Sequence, residues 1–169
     1  ARLLDAGFDD QTLRLAVGAG AIRRVRSGVY MAGDRAETQF TDLLIAHELA
    51  PESAICLTTA AHLHGLTSEP PGAWLAIPHG KHAPSGLDVS YKRWSRRAFF
   101  DEGTETRDLD GYPARMTSPA RTVLDLFREV RRDDTGEIPD SAFREARDAF
   151  VQNGGDPVEV ATLAHRLGC

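Results

Sequence analysis

The stretch Arg23-Arg24-Val25-Arg26-Ser27-Gly28-Val29-Tyr30 decides how the chain begins to fold. Ile22 to Arg26 and Val29 to Met31 are two β-prone arms, and Ser27-Gly28 between them is a turn signal. Gly28 supplies the positive φ that a three-residue hairpin needs. Three arginines within four residues on so small a ribbon repel one another, so a polyanion is their natural partner. A short helical segment ending at Gly20 comes directly before the ribbon. Helix followed by basic hairpin is the sequence pattern of a winged helix-turn-helix.

The helix before the ribbon reads in the same direction. Asp9 or Asp10 can cap its N-terminus, and Gly18 and Gly20 mark its end. Leu13, Ala16 and Val17 fall at i, i+3 and i+4 and are expected on one buried face. Gln11, Arg14 and Gly18 then share the opposite face. Gln and Arg make bidentate contacts with adenine and guanine edges, and Gly18 would let the helix sit close to a groove. Leu3-Leu4-Asp5-Ala6-Gly7-Phe8 reads as the end of a preceding helix and a Gly turn. The plainer alternative is an amphipathic helix and a hairpin with ordinary surface arginines. Both readings stand on pattern alone.

At 169 residues the chain is long enough for one domain, or for a small one beside a larger one. Hydrophobic content of 41% and charged content of 27% are those of an ordinary globular protein. No apolar run approaches a membrane span and no signal peptide is visible. The first residue is Ala rather than Met, so a trimmed or partly disordered N-terminus is expected, with the first helix of the DNA-binding module missing. Cys56 and Cys169 lie too far apart in the sequence to suggest a disulfide framework and are expected as reduced thiols in a cytoplasm.

The net charge of −5 is unevenly spread. Residues 1–31 carry Arg2, Arg14, Arg23, Arg24 and Arg26 against Asp5, Asp9 and Asp10, a balance of +2, which leaves −7 for the remainder. A mildly basic head on an acidic body suits a protein that touches nucleic acid with one end only.

Beyond the ribbon the pattern is α+β. A helix is expected from about Ala36 to Leu49, with Phe40, Leu43, Leu44 and His47 on one stripe. Ile55 to Leu66 reads as a short buried strand or turn and then a small helix, capped by Thr58 or Thr59 and stopped by Gly65; Glu69-Pro70-Pro71-Gly72 is a loop. Trp74 to Ile77 is an apolar strand, and Leu87, Val89 and Tyr91 alternate with Asp88, Ser90 and Lys92 as a half-buried strand does. Asp110-Gly111 is a strong turn between strands Thr104–Leu109 and Tyr112–Thr117. Ser118-Pro119 opens a helix with Ala120, Val123, Leu124 and Phe127 facing inward, and Arg128 to Pro139 reads as a charged linker. Two helices close the chain: Ser141 to Val151, ended by Asn153-Gly154-Gly155, and one from Asp156-Pro157 with Val160, Leu163, Ala164 and Leu167 on a stripe. The expected fold is thus α+β. A partial winged helix-turn-helix occupies residues 1–33, and a mixed α+β domain with C-terminal helices occupies 34–169.

Three sequence elements occur in order: Gly20, Ile22 and the basic ribbon through Tyr30; Thr58-Thr59-Ala60-Ala61-His62-Leu63-His64-Gly65-Leu66; and Thr117-Ser118-Pro119-Ala120-Arg121-Thr122-Val123-Leu124-Asp125. This order resembles the AbiEi family, antitoxins and transcriptional regulators of type IV, abortive-infection toxin–antitoxin systems. The resemblance runs from about Leu13 to Leu167, and it is the order and spacing of the pieces that carry it. It implies an N-terminal winged helix that represses its own operon, and a C-terminal domain that counters a nucleotidyltransferase-like toxin; the basic ribbon and the Gln11/Arg14 face point to an inverted repeat in that promoter as the operator. On this resemblance Gln11, Thr12 and Arg14 lie on the recognition helix, and Arg23, Arg24 and Arg26 on the wing. The body motifs are structural and hand over no catalytic residue or cofactor. The trimmed start departs from the family pattern.

Other chemistry finds little footing. His62-Leu63-His64 has the most metal-like spacing, with Cys56, His47, His79 and His82 as conceivable companions, but residues two apart on a helix point to different sides. No metal site is expected. No phosphate loop, paired-carboxylate site or nucleophile elbow is present, so no enzyme is expected. Two alternatives to the antitoxin reading remain: a stand-alone winged-helix regulator, and the regulatory half of a Vsr-like nuclease. The nuclease lobe needs a carboxylate cluster with a nearby lysine, and the only lysines are Lys81 and Lys92. Finally, Tyr91-Lys92-Arg93-Trp94-Ser95-Arg96-Arg97-Ala98-Phe99-Phe100 joins four cations to four aromatics. Lys92, Arg93, Arg96 and Arg97 are a second nucleic-acid contact, a toxin-docking surface, or, as we prefer, solvated charges beside aromatics turned into the core.

Overall fold

The computed structural model describes residues 9–68, 72–132 and 137–169, and the chain divides into two compact units between Thr41 and Asp42. The expected helix end at Leu3–Phe8 lies outside the described residues, as do residues 69–71 of the Glu69–Gly72 loop. Among the described residues the protein is mixed α+β, with seven helices and two sheets.

The N-terminal unit holds helix α1 (Asp10–Gly18) and an antiparallel ribbon of β1 (Ile22–Arg26) and β2 (Val29–Ala32). Gly28 turns the ribbon at φ +76°, and the register shifts between Arg24 and Arg26. Gly20, at φ +71°, reverses the chain after α1. There Gly33 runs so close that a Cβ on it would sit 1.8 Å from the Gly20 carbonyl oxygen. Leu13 packs inward at 6% exposure, whereas Val17, expected on the same face, is 39% exposed.

The second unit carries a five-stranded sheet with order β5-β4-β3-β7-β6. Its strands are β3 (Ala54–Ile55), β4 (Trp74–Pro78), β5 (Ser90–Trp94), β6 (Thr104–Leu109) and β7 (Tyr112–Thr117). The β3–β7 and β4–β5 pairs are parallel, while β3–β4 and β6–β7 are antiparallel. The β6–β7 hairpin turns where expected, with Asp110 at φ +54° and Gly111 at φ +77°, the two positive angles of a type I′ turn. Helices α2 (Thr41–Leu49), α3 (Leu57–Leu63), α4 (Ala98–Asp101), α5 (Pro119–Arg132), α6 (Asp140–Gln152) and α7 (Pro157–Leu167) complete it.

The main core joins Ala54, Ala76 and Trp94 of the sheet to Ala120, Val123 and Leu124 of α5, Phe150 of α6 and Leu163 of α7. Alternation along the strands sends Ile55, Leu75, Ile77 and Met116 away from this cluster, yet all four are fully buried. Both faces of the sheet are therefore covered. Beyond the two-residue β3, strand β7 lacks a neighbour, and His47 of α2 takes its place by accepting the Arg115 backbone N–H at Nε2, 3.1 Å away.

Several expectations shift at element ends. The helix expected from Ala36 begins at Thr41, because Thr38 and Thr41 close a polar turn, the Thr38 N–H donating to Thr41 Oγ1 at 2.8 Å. Cys56, not Thr58 or Thr59, precedes α3, and Leu57 enters the helix at φ +54°. Thr59 is instead fully buried and bridges the Gly72 carbonyl and the Trp74 N–H, at 2.6 and 2.7 Å. The alternating strand starts at Ser90, later than Leu87 and Val89. Residues 128–132 of the expected linker continue α5, whose last turn carries Arg131 and Arg132 at the favourable end of the helix dipole. Phe127, expected inward, is 40% exposed and lies tilted against Phe143 of α6, with 5.4 Å between ring centres. The closing helix keeps its expected signals: Asp156 accepts the Val158 N–H, and Gly168 ends it at φ +68°.

Candidate nucleic-acid interface

Asp9 caps α1 by accepting the Thr12 N–H at 2.7 Å. That backbone hydrogen bond, followed by one from the Thr12 hydroxyl, holds the Asp9 carboxyl below its usual range. Thr12, one of the residues the resemblance placed on a recognition helix, is thus committed to the cap. Gln11 and Arg14 are exposed. At 3.6 residues per turn, Gln11, Leu15 and Gly18 lie within about 60° of one another, with Arg14 at the edge of the same face and Leu13 opposite. A Cβ added at Gly18 would meet nothing within 4 Å, so the space above it is open. Leu15, which the sequence reading passed over, stands on this open face at 67% exposure.

On the ribbon, Arg23 is partly covered and bonds Glu37 through Nη1 at 2.9 Å. Arg24 lies along the turn, donating from Nε to the Arg26 carbonyl at 3.2 Å and from Nη2 to Ser27 Oγ at 3.1 Å. Arg24 and Arg26 are both exposed. The turn therefore presents a pre-ordered guanidinium, the kind of donor that fits a phosphate.

The four cations of the body's aromatic stretch each have a partner. Lys92 pairs with Glu129 of α5, and Arg93 donates to the Lys81 carbonyl at 2.7 Å. Arg96 donates to the Leu167 carbonyl at 2.9 Å and lies over the Phe99 ring, and Arg97 pairs with Asp101 at 3.3 Å. Trp94, Phe99 and Phe100 are buried, with Trp94 and Phe100 ring centres 4.8 Å apart.

Two motif stretches of the body meet at one contact. His64, ending α3, donates from Nε2 to the Thr117 carbonyl at 2.7 Å. A carbonyl only accepts, so Nε2 carries the proton, and Nδ1 is left to accept from Arg107 Nη1 at 3.0 Å. Burial, the largest influence, lowers the His64 pKa, in keeping with a neutral ring. Thr117 and Thr122 hydroxyls bond at 2.7 Å, and Thr122 also donates to the Ser118 carbonyl at 2.8 Å.

The centre of this region left little trace in the sequence. Arg121 is wholly buried, with Nε 2.9 Å from both oxygens of Asp125 and Nη1 bonded to the Phe99 and Glu102 carbonyls at 3.2 and 2.6 Å. Its guanidinium also lies 4.7 Å from the Trp94 ring centre. Burial pushes the Asp125 carboxyl up, against the pull of Arg121. An Arg and an Asp four apart on a helix ordinarily mark a solvated face. Only the neighbouring Ala120, Val123 and Leu124, which face the same core, hinted otherwise.

Among the described residues no three His, Cys, Asp or Glu side chains gather as metal ligands, and no helix is long and apolar enough to cross a membrane. No curated protein matches the chain. Residues 53–136 match the AbiEi antitoxin C-terminal domain, a family that is regulatory and not enzymatic. The matched stretch takes in β3 through α5, with the His64–Thr117 contact and the Arg121–Asp125 pair inside it. The chain therefore belongs to the AbiEi family and carries the domain of an antitoxin from a toxin–antitoxin pair.

Proposed function

We propose that this cytoplasmic antitoxin also binds an inverted repeat in its own promoter through the N-terminal helix and ribbon, repressing its operon, and counters a nucleotidyltransferase-like toxin of a type IV-like pair. The observation that carries the DNA-binding part is the open face of α1, where Gln11 and Arg14 stand exposed in the same unit as Arg24 and Arg26. In this reading Gln11 and Arg14 meet base edges, the ribbon arginines meet phosphates, and the unit acts as a winged helix-turn-helix. The family match at 53–136 lies wholly in the second unit and supports assigning the antitoxin task there.

Titrations of a labelled promoter fragment at two salt concentrations test the division of labour. Arg24→Ala with Arg26→Ala weakens binding to all sequences and flattens the salt dependence, since fewer counterions are released. Arg14→Ala costs roughly 1–3 kcal/mol on the operator and relaxes its sequence preference. Equal losses from all three substitutions on operator and random DNA would contradict it.

A further inference from the structure

We infer that Leu15 reads thymine methyl groups in the DNA bound by the N-terminal unit, an inference that rests on the DNA-binding reading above. Leu15 is not needed by the core. Leu13 of the same helix does the inward packing at 6% exposure, while Leu15 is 67% exposed. It shares the open face with Gln11, one turn before it, and Gly18, three residues after it, while Arg14 stands about 100° round the helix at the far edge of that face. No side chain at Gly18 crowds it, and a Cβ there would meet nothing within 4 Å.

The chemistry of these neighbours is complementary in a major groove. A glutamine suits the paired donor and acceptor of adenine, an arginine suits guanine, and the C5-methyl of thymine takes an apolar contact. An A·T pair presents the adenine edge and the thymine methyl side by side, and Gln11 and Leu15 are side by side on the helix. The occupant is therefore duplex DNA with A·T pairs under α1. The exposed arginines of the same unit favour this polyanion over an apolar peptide or a second copy of the chain.

The whole chain is titrated against its promoter fragment made with dT or with dU, which lacks the methyl group and keeps every hydrogen-bonding atom. Wild-type affinity falls about fourfold for each methyl contacted when dU replaces dT. Leu15→Ala and Leu15→Gln bind the dT fragment about as weakly as wild type binds the dU fragment, and their own dT-to-dU ratio is near one. Comparing both proteins on the same two duplexes cancels any change in DNA shape. Their thermal midpoints stay at the wild-type value, because the side chain packs against little.

Equal wild-type affinity for the two duplexes overturns the inference, as does a thymine preference that survives in Leu15→Ala. In both cases specific binding persists, and the DNA-binding reading stands. Failure of wild type to prefer the promoter over scrambled DNA at any salt overturns the two together. Loss of a dimer or of thermal stability on Leu15→Ala, with the thymine preference intact, assigns the residue to a protein contact and overturns the inference as well.

Discussion

The His64 imidazole and the Thr117 carbonyl, 53 residues apart, are joined at 2.7 Å. The bond ties the end of α3 to the last residue of β7, with only Ser118 between it and α5. It makes two separate stretches of the antitoxin domain one structural feature, with Arg107 of β6 closing the other side of the ring.

His64→Ala is expected to cost about 1–3 kcal/mol, from the lost bond to the Thr117 carbonyl, which keeps only the longer one from the Thr122 hydroxyl at 3.4 Å, and from the space left beside α3. His62→Ala, which removes a half-buried ring whose Nδ1 has no partner among the described residues, costs less. Urea unfolding of the two variants checks the order. Toxin rescue by the His62 variant should match wild type, with or without a chelator.

A pH dependence follows from the two acceptor histidines. His47 accepts from the Arg115 N–H and His64 from Arg107, so both fold as neutral rings, and burial lowers both from 6.5. The unfolded chain then binds protons that the folded chain refuses. Stability from these residues is complete above about pH 6.5 and is lost as pH falls through that value towards the lowered folded ones. The urea midpoint should drop between about pH 7.5 and 5.5, and drop less in His47→Gln and His64→Gln. An identical drop in wild type and both variants would assign it to other groups.

The Arg121–Asp125 pair behaves as a unit. Asp125→Ala leaves a buried guanidinium without its counter-charge, and Arg121→Met leaves a buried carboxylate together with the Phe99 and Glu102 carbonyls. Each is expected to cost about 3–5 kcal/mol. The double change Arg121→Met with Asp125→Leu should recover part of that loss, because both members of the buried pair go together, while Arg128, 3.7 Å from Asp125, loses its carboxylate partner. A double-mutant cycle by urea denaturation measures the coupling.

Much of the chain could be read beforehand where the signal was local. Asp110-Gly111, Ser118-Pro119, Asp156-Pro157 and Gly168 each fix the backbone within two residues, and each marks an element end as expected. What depended on partners distant in sequence did not show. Thr59 looked like a helix cap until Gly72 and Trp74 arrived beside it. Arg128 to Arg132 read as linker because their charges outweighed a helical period that had already begun at Pro119. At the candidate interface the basic ribbon was visible as composition. Leu15 was not, since a single leucine off the Leu13–Ala16–Val17 face carries no periodic signal of its own.

The two glycines near the ribbon separate folding from binding. Gly33→Ala drives a Cβ to 1.8 Å from the Gly20 carbonyl oxygen, and the N-terminal unit should lose its protection from proteolysis. Gly18→Ala meets nothing within 4 Å and improves helix propensity by about 1 kcal/mol at most. It should leave the thermal midpoint unchanged or raised while weakening promoter binding. If Gly18→Ala binds the promoter as wild type does, α1 does not approach the groove along that face.

The most direct test uses one strain carrying the toxin and a reporter behind the antitoxin's own promoter. The full chain is expressed as wild type or as Arg14→Ala with Arg24→Ala and Arg26→Ala. With the DNA task in the N-terminal unit and the antitoxin task in the domain at 53–136, the triple variant should release the reporter and still rescue growth. Reporter repression that survives the triple substitution, or rescue lost along with repression in a folded protein, would contradict that division.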